Sequence, residues 1–160
     1  MKGSAGNVNL NQDWLSQRDY PDLDPRAERA LRAAGLSFQN DVEAERSLAE
    51  AYTFAPDHMA VAIAHYRYYL YKHKFAEAEG YASECLKRAA AGLSLPLDYE
   101  AVRPEHADFS RLDKDVRFWL FALQAYGYVL LRCGREPEAL AALRHLCELD
   151  RTDQTKTRVL

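Results

Sequence analysis

Glycine and proline are scarce in this chain of 160 residues, which holds only seven glycines and six prolines. An all-β domain uses both residue types in its many turns, so this composition argues against one. A hydrophobic fraction of 48% also argues against a disordered chain, because such chains bury too little apolar surface to offset the entropy of folding. The composition and length therefore predict one compact helical domain or a short repeat array.

The sequence also lacks a strong excess of one charge and a long apolar run. The net charge is −3, and no segment is strongly basic, whereas nucleic-acid binding requires clustered Lys and Arg side chains. The longest apolar stretch, residues 118–131, is too short to span a bilayer as a helix. The N-terminus is polar and has no hydrophobic signal region. We therefore expect a cytoplasmic protein that binds neither nucleic acid nor membrane.

Residues that form metal or catalytic sites are few. Cys85, Cys133 and Cys147 make no CxxC pair, so they are expected to be buried thiols rather than zinc ligands. The histidines between residues 58 and 73 are seven and eight residues apart and drift around a helix. The glycines form neither a phosphate-binding loop nor a nucleophile elbow. We expect no metal, no other cofactor and no catalytic residue.

Apolar residues recur at helical spacing from residue 26 onward, and short turns interrupt this pattern. Asp24 followed by Pro25 predicts a helix start, and Asp41 and Asp113 are further candidate N-caps. The predicted helices are joined in most places by turns of a few residues, which favours antiparallel helical hairpins.

Three alanines mark an internal repeat. Ala44 and Ala78 are 34 residues apart, and Ala139 follows 61 residues later, which is 34 plus an insertion of 27. The segments around them read QNDVEAERSLAEA, HKFAEAEGYASEC and GREPEALAALRHL. Each combines a short turn, an acidic residue and an alanine. Small side chains at such positions permit two helices to pack closely.

In this pattern the chain resembles the tetratricopeptide repeat (TPR) family, whose unit is a 34-residue helix–turn–helix with small residues at fixed positions. The resemblance implies an all-α fold: a TPR-like stack of antiparallel helical hairpins that forms a right-handed α-solenoid. It defines a helical domain over 13–153, with repeats at 25–58, 59–92 and 120–153 and an insertion at 93–119.

Three segments lie outside this repeat pattern. Residues 1–12 are expected to be a disordered arm, with Trp14 and Leu15 docking onto the domain. Residues 154–160 are expected to be a polar tail. The insertion is interpreted either as a partner-facing loop or as an extension that pads the fold.

The resemblance further implies a partner-binding groove lined by the first helix of each repeat. Several of its residues are of the types that dominate binding hot spots, aromatic side chains and arginine. The tyrosine-rich segment 64–73 is expected to place packed rings with polar tips at the groove rim. The alternative is that about half of the groove residues are core between the hairpins. The candidate groove residues are Arg29, Ile63, Arg67, Leu70, Tyr71, Gln124, Tyr128 and Arg132.

The last hairpin is followed by only a short polar segment, so the outer face of its second helix is expected to lack a cover. Leu140, Leu143 and Cys147 lie on that face. Uncovered apolar surface is typical of an interface. The sequence therefore predicts a homodimer or a protein partner at this edge.

Together these features predict a non-catalytic interaction module that binds a peptide or helix of a partner protein. Two alternatives remain open. One is a small secretion-type TPR chaperone that holds an apolar client. The other is a small-ligand sensor or enzyme that uses a pocket near the insertion.

Overall fold

The computed structural model describes residues 20–159, and all regular structure in that range is helical. The predicted all-α fold is thereby confirmed. The arm at 1–12 and the docking of Trp14 and Leu15 lie outside the described residues. The six α-helices are α1 (Pro25–Leu36), α2 (Asp41–Phe54), α3 (Met59–Tyr71), α4 (Phe75–Gly92), α5 (Lys114–Arg132) and α6 (Glu136–Leu149). Short 3₁₀ turns lie at Tyr99–Ala101, Pro104–His106 and Thr157–Val159.

The helix starts follow local capping chemistry. Asp24 accepts a hydrogen bond from the backbone N–H of Arg26 at 2.8 Å, and Asp113 accepts from two backbone N–H groups of the first turn of α5. The predicted cap at Asp41 is wrong by one residue. Asn40 is the N-cap of α2 and accepts from the backbone N–H of Glu43, since an Asn side chain caps as well as an Asp side chain.

Helices α3, α4 and α5 end in the same way. The second residue beyond the end of each, His73, Ser94 or Gly134, has a left-handed backbone with φ of 58°, 55° and 76°. The N–H of the following residue then reaches a carbonyl five residues back, as in the bond from Lys74 to Tyr69. This arrangement satisfies carbonyls that the helix end would leave unpaired. It closes the hairpins α3–α4 and α5–α6 with short turns.

Four pairs of successive helices pack closely, namely α1–α2, α3–α4, α4–α5 and α5–α6, whereas α2 and α3 make fewer contacts. The three repeat alanines, Ala44, Ala78 and Ala139, are fully buried in the second helices of the hairpins. At Gly127 the approach is closer still, because a Cβ atom there would lie 2.7 Å from Cδ2 of Leu143. Small residues therefore set how closely the paired helices pack.

The main core is formed by α3 to α6 and is filled by large side chains of α5, including Trp119, Leu120 and Leu123. The insertion between α4 and α5 contributes Leu95, Val102 and Phe109 to this core. Two smaller apolar clusters join the first hairpin to α3. These are Ala34, Ala44, Leu48 and Tyr68 in one cluster, and Ala30, Ala51 and Val61 in the other.

Candidate functional site

Two grooves open on the surface of the described residues. The N-terminal groove lies between α1 and α3, with a volume of about 340 Å³. The C-terminal groove lies between α5, α6 and the tail, with a volume of about 650 Å³. The N-terminal groove is lined by Leu31, Ala34, Gly35, Phe38, Leu48, Ala64, Arg67, Tyr68 and Tyr71. The C-terminal groove is lined by Gln124, Tyr128, Leu131, Arg132, Leu140, Leu143, Arg144, Cys147, Glu148, Thr157 and Arg158.

Aromatic contacts form one end of the N-terminal groove. The rings of Phe38 and Tyr68 meet edge to face, with centroids 5.9 Å apart. Lys72 lies over the Phe38 ring at 4.3 Å and forms an ion pair with Asp41 at 2.7 Å. Burial raises the pKa of Tyr68 well above its usual range. These contacts join the α1–α2 turn and the start of α2 to α3, and the partly buried Arg67 lines the groove beside them.

The walls of the C-terminal groove are apolar. Leu131 of α5 and Leu140 of α6 are each more than a third exposed. Leu143 and Cys147 continue the α6 wall as half-buried side chains. Burial raises the pKa of the Cys147 thiol, and Arg158 opposes this shift. The predicted edge residues therefore line a concave surface.

The polar tail at the end of this groove is partly buried. Asp150 is almost fully buried and accepts hydrogen bonds from the N–H and Oγ1 of Thr155, at 2.9 and 2.8 Å. Gln124 of α5 donates from Nε2 to the Thr155 carbonyl at 2.8 Å and to Thr157 Oγ1 at 3.0 Å. Hydrogen-bond partners of this kind offset the cost of removing a polar side chain from water. The tail therefore packs back onto α5 and α6.

Three arginines surround the C-terminal groove. Arg132 donates to the hydroxyl of Tyr128 at 3.0 Å and lies over the Phe75 ring at 4.3 Å. Arg144 projects from α6, and Arg158 lies in the tail. The acidic residue among the lining side chains is Glu148.

The structure separates the predicted groove residues into four groups. Ile63 and Leu70 are buried in the main core and line neither groove, as the alternative expected of some of these residues. Arg29 is exposed on α1 and lies outside both grooves. Arg67 and Tyr71 line the N-terminal groove. The other three, Gln124, Tyr128 and Arg132, line the C-terminal groove together with Leu140, Leu143 and Cys147.

The C-terminal groove therefore joins two sets of residues that the sequence assigned to different surfaces. Sequence reasoning missed Arg144, Glu148, Thr157 and Arg158 as lining residues. The repeat pattern stops before the tail, so it carries no signal that the tail returns to α5.

The tyrosine-rich segment of α3 packs mainly against α4. His65 is buried and stacks on the Tyr81 ring, with centroids 4.6 Å apart. Tyr69 also stacks on Tyr81, at 5.7 Å and 11° between the planes. The Nδ1 atom of His65 lies 2.8 Å from the Val61 carbonyl, and burial lowers the His65 pKa. The cluster is a packing element, and Tyr68 and Tyr71 are the tyrosines of this segment that reach the N-terminal groove.

Within residues 20–159, no three His, Cys, Asp or Glu side chains are grouped so as to hold a metal ion. None of the helices in the same range has the length and hydropathy that crossing a membrane requires. All three cysteines are free thiols.

Fold and grooves together define an all-α protein of packed helical hairpins with apolar surface grooves. No protein-family profile matches the chain, and no solved structure matches it. The chain is 33% identical over 119 residues to the "Uncharacterized 19.8 kDa protein in nifW 5'region" of Azotobacter chroococcum mcd 1. The match covers 73% of this chain and 67% of that protein. The chain therefore belongs to the same family as the Azotobacter protein.

Proposed function

We propose that this protein is a TPR-like, non-catalytic interaction module that binds a helix of a partner protein in its C-terminal groove. The repeat spacing and the fully buried Ala44, Ala78 and Ala139 support the TPR-like arrangement. In such a stack each hairpin buries its apolar face only against the next element.

The observation that carries this proposal is a comparison between α4 and α6. When Ala78 is aligned with Ala139, Ala82 and Leu86 of α4 correspond to Leu143 and Cys147 of α6. Ala82 and Leu86 are buried in the main core, where α5 packs against α4. Leu143 and Cys147 face an open groove instead. Another helix in the groove would bury α6 as α5 buries α4.

The apolar character of the groove supports a protein ligand of this kind. An amphipathic helix binds by laying residues at positions i, i+3 or i+4, and i+7 into an apolar groove. Leu131, Leu140 and Leu143 are suitable contacts for such residues. Tyr128 and Arg132 add side chains of the types that dominate interface energetics.

We also propose a cytoplasmic location for the protein. Its three cysteines are an odd number and form no disulfide, which is typical of a reducing compartment.

Site-specific photo-crosslinking in the native host tests the proposed function. A photoreactive amino acid at position 140 is expected to form an adduct with a discrete protein. The same amino acid at position 42 of α2 is the control, because Val42 is 79% exposed and lies outside both grooves. Leu140→Asp is expected to abolish co-purification of that protein, and Val42→Asp to preserve it.

Two results would contradict the proposal. One is a partner that crosslinks from position 71 in the N-terminal groove but not from position 140. The other is co-purification that survives Leu140→Asp. A crosslinked protein that precipitates when this chain is absent would favour the chaperone alternative over a simple interaction module.

A further inference from the structure

We infer that the C-terminal groove selects an acidic amphipathic helix. This inference rests on the proposed function and specifies the chemistry of the partner. Its basis is the charge around the groove, where Arg132, Arg144 and Arg158 face one acidic side chain, Glu148. The chain as a whole has a net charge of −3. The groove therefore has the opposite sign of charge from the whole chain.

Six other arginines and lysines of the described residues form ion pairs with carboxylates, among them Lys72 with Asp41 and Lys74 with Glu45, which join neighbouring elements. Within residues 20–159, none of the three groove arginines forms an ion pair with a carboxylate. Their charges therefore remain available to a ligand.

The three arginines are distributed along the groove. Arg158 lies in the tail, and the tail is bound to Gln124 of α5. Arg132 lies eight residues beyond Gln124 on the same helix. Eight residues of α-helix extend about 12 Å. Arg144 is on the opposite wall, formed by α6. A bound helix of two to three turns would thus meet cations at both ends and along one side.

Arg132 is held in position before any ligand binds. Its guanidinium lies over the Phe75 ring at 4.3 Å and donates to the Tyr128 hydroxyl. A guanidinium that is already oriented loses less side-chain entropy when it contacts a carboxylate. An Asp or Glu side chain of the bound helix at this end is therefore the expected contact.

The same charges disfavour a second copy of this chain as the occupant. Head-to-tail stacking would bring α1 of another copy to the groove. Helix α1 carries Arg26, Arg29 and Arg32 against Glu28, and like charges across an interface oppose association. The groove is thus better matched to an acidic helix of another protein.

Binding of three synthetic peptides to the full chain tests the inference by fluorescence anisotropy. The peptides are helices of about 18 residues with one shared Leu/Ala face, and the polar face carries Glu, Gln or Lys. We expect the Glu peptide to bind about tenfold more tightly than the Gln peptide, and the Lys peptide to bind most weakly. This preference is expected to shrink as salt is added.

Charge reversal separates the groove from the overall charge. Arg144→Glu with Arg158→Glu is expected to remove the preference for the Glu peptide. Arg46→Glu with Lys87→Glu is the matched control, because it makes the same charge change at exposed positions of α2 and α4 outside the groove. The control is expected to retain the preference, and circular dichroism checks that both variants are folded.

The outcomes distinguish this inference from the proposed function. Equal binding of all three peptides, lost on Leu140→Asp, would overturn the charge selectivity and leave helix binding in place. Failure of all three peptides to bind, or binding that survives Leu140→Asp, would overturn both. A dimer in sedimentation that Leu140→Asp dissociates would overturn the inference, because a second copy would then occupy the groove.

Discussion

The buried carboxylate of Asp150 is stabilised by specific hydrogen-bond partners. Asp150 is 1% exposed and accepts bonds from Thr155 and from the N–H of Gln154. His65 is a different case, since this residue of α3 packs against α4, beside Tyr69 of its own helix and Tyr81 of α4. Removal from water disfavours the charged imidazolium and lowers the His65 pKa, and this outweighs the opposing effects of the Val61 carbonyl and Glu84.

The lowered His65 pKa predicts a pH dependence of stability. The native state binds this proton less readily than the unfolded chain, whose His pKa is near 6.5. The stability contributed by neutral His65 is therefore complete above pH 6.5 and is lost as the pH falls from there towards the folded-state pKa. Urea unfolding at about pH 7.5 and about pH 5.5 is expected to show a fall in the free energy of unfolding.

His65→Phe serves as the comparison because it keeps an aromatic ring beside Tyr81 and does not titrate. Its free energy of unfolding is expected to fall less over the same pH interval than that of the wild type. His58, which lies 3.3 Å from Asp22, is present in both proteins, so its contribution cancels in the difference. Identical pH dependence in the two proteins would show that His65 does not carry the effect.

At the scale of the helices, contact between α5 and α6 depends on Gly127. A Cβ atom there would lie 2.7 Å from Cδ2 and 2.8 Å from Cγ of Leu143, so Leu143 would have to move. Gly→Ala within a helix is by itself stabilising by about 1 kcal/mol, whereas overpacking costs about 1–3 kcal/mol. Gly127→Ala is therefore expected to lower the free energy of unfolding by about 1 kcal/mol.

Two further variants test that explanation of the Gly127 effect. Gly80 lies within α4 with no atom near a Cβ position, so Gly80→Ala is expected to stabilise the protein by about 0.5–1 kcal/mol. In a Leu143→Ala background the clash is removed, and Gly127→Ala is expected to become neutral or stabilising. If Gly127→Ala still lowers the free energy of unfolding in that background, the clash with Leu143 is not the cause of its effect.

Local features of the helices were predictable from the sequence, and long-range ones were not. Asp24, Asp113 and the repeat alanines act within a few residues or recur at a fixed spacing, so their patterns are visible in the chain. Ile63 and Leu131 both occupy leading helices at periodic positions, yet Ile63 is in the core and Leu131 is exposed. That difference depends on which neighbouring helix covers each residue.

The tail shows the same limit at the scale of the whole molecule. Thr155 and Thr157 are polar and follow the last helix, which is typical of solvated segments. Their burial depends on Gln124, about 30 residues away in the sequence, as the bond between Gln124 and Thr155 shows. The groove depends on the same pairing, because the tail forms one of its ends.

The whole molecule has an uneven core. The main cluster unites α3 to α6, and the first hairpin joins it through small clusters that include Val61 and Tyr68 of α3. Elements with fewer buried contacts open at a lower free energy than the global unfolding reaction. Hydrogen exchange is therefore expected to show lower protection in α1 and α2 than in α5.

Leu48→Ala tests whether the first hairpin opens independently of the main core. Leu48 is 3% exposed in the first-hairpin cluster, and its truncation costs about 2–5 kcal/mol of packing. Exchange in α1 and α2 is expected to accelerate while α5 and α6 keep their protection. Leu123→Ala in the main core is the control and is expected to lower protection throughout the molecule. An equal loss in α2 and α5 on Leu48→Ala would instead show that the hairpins unfold as one cooperative unit.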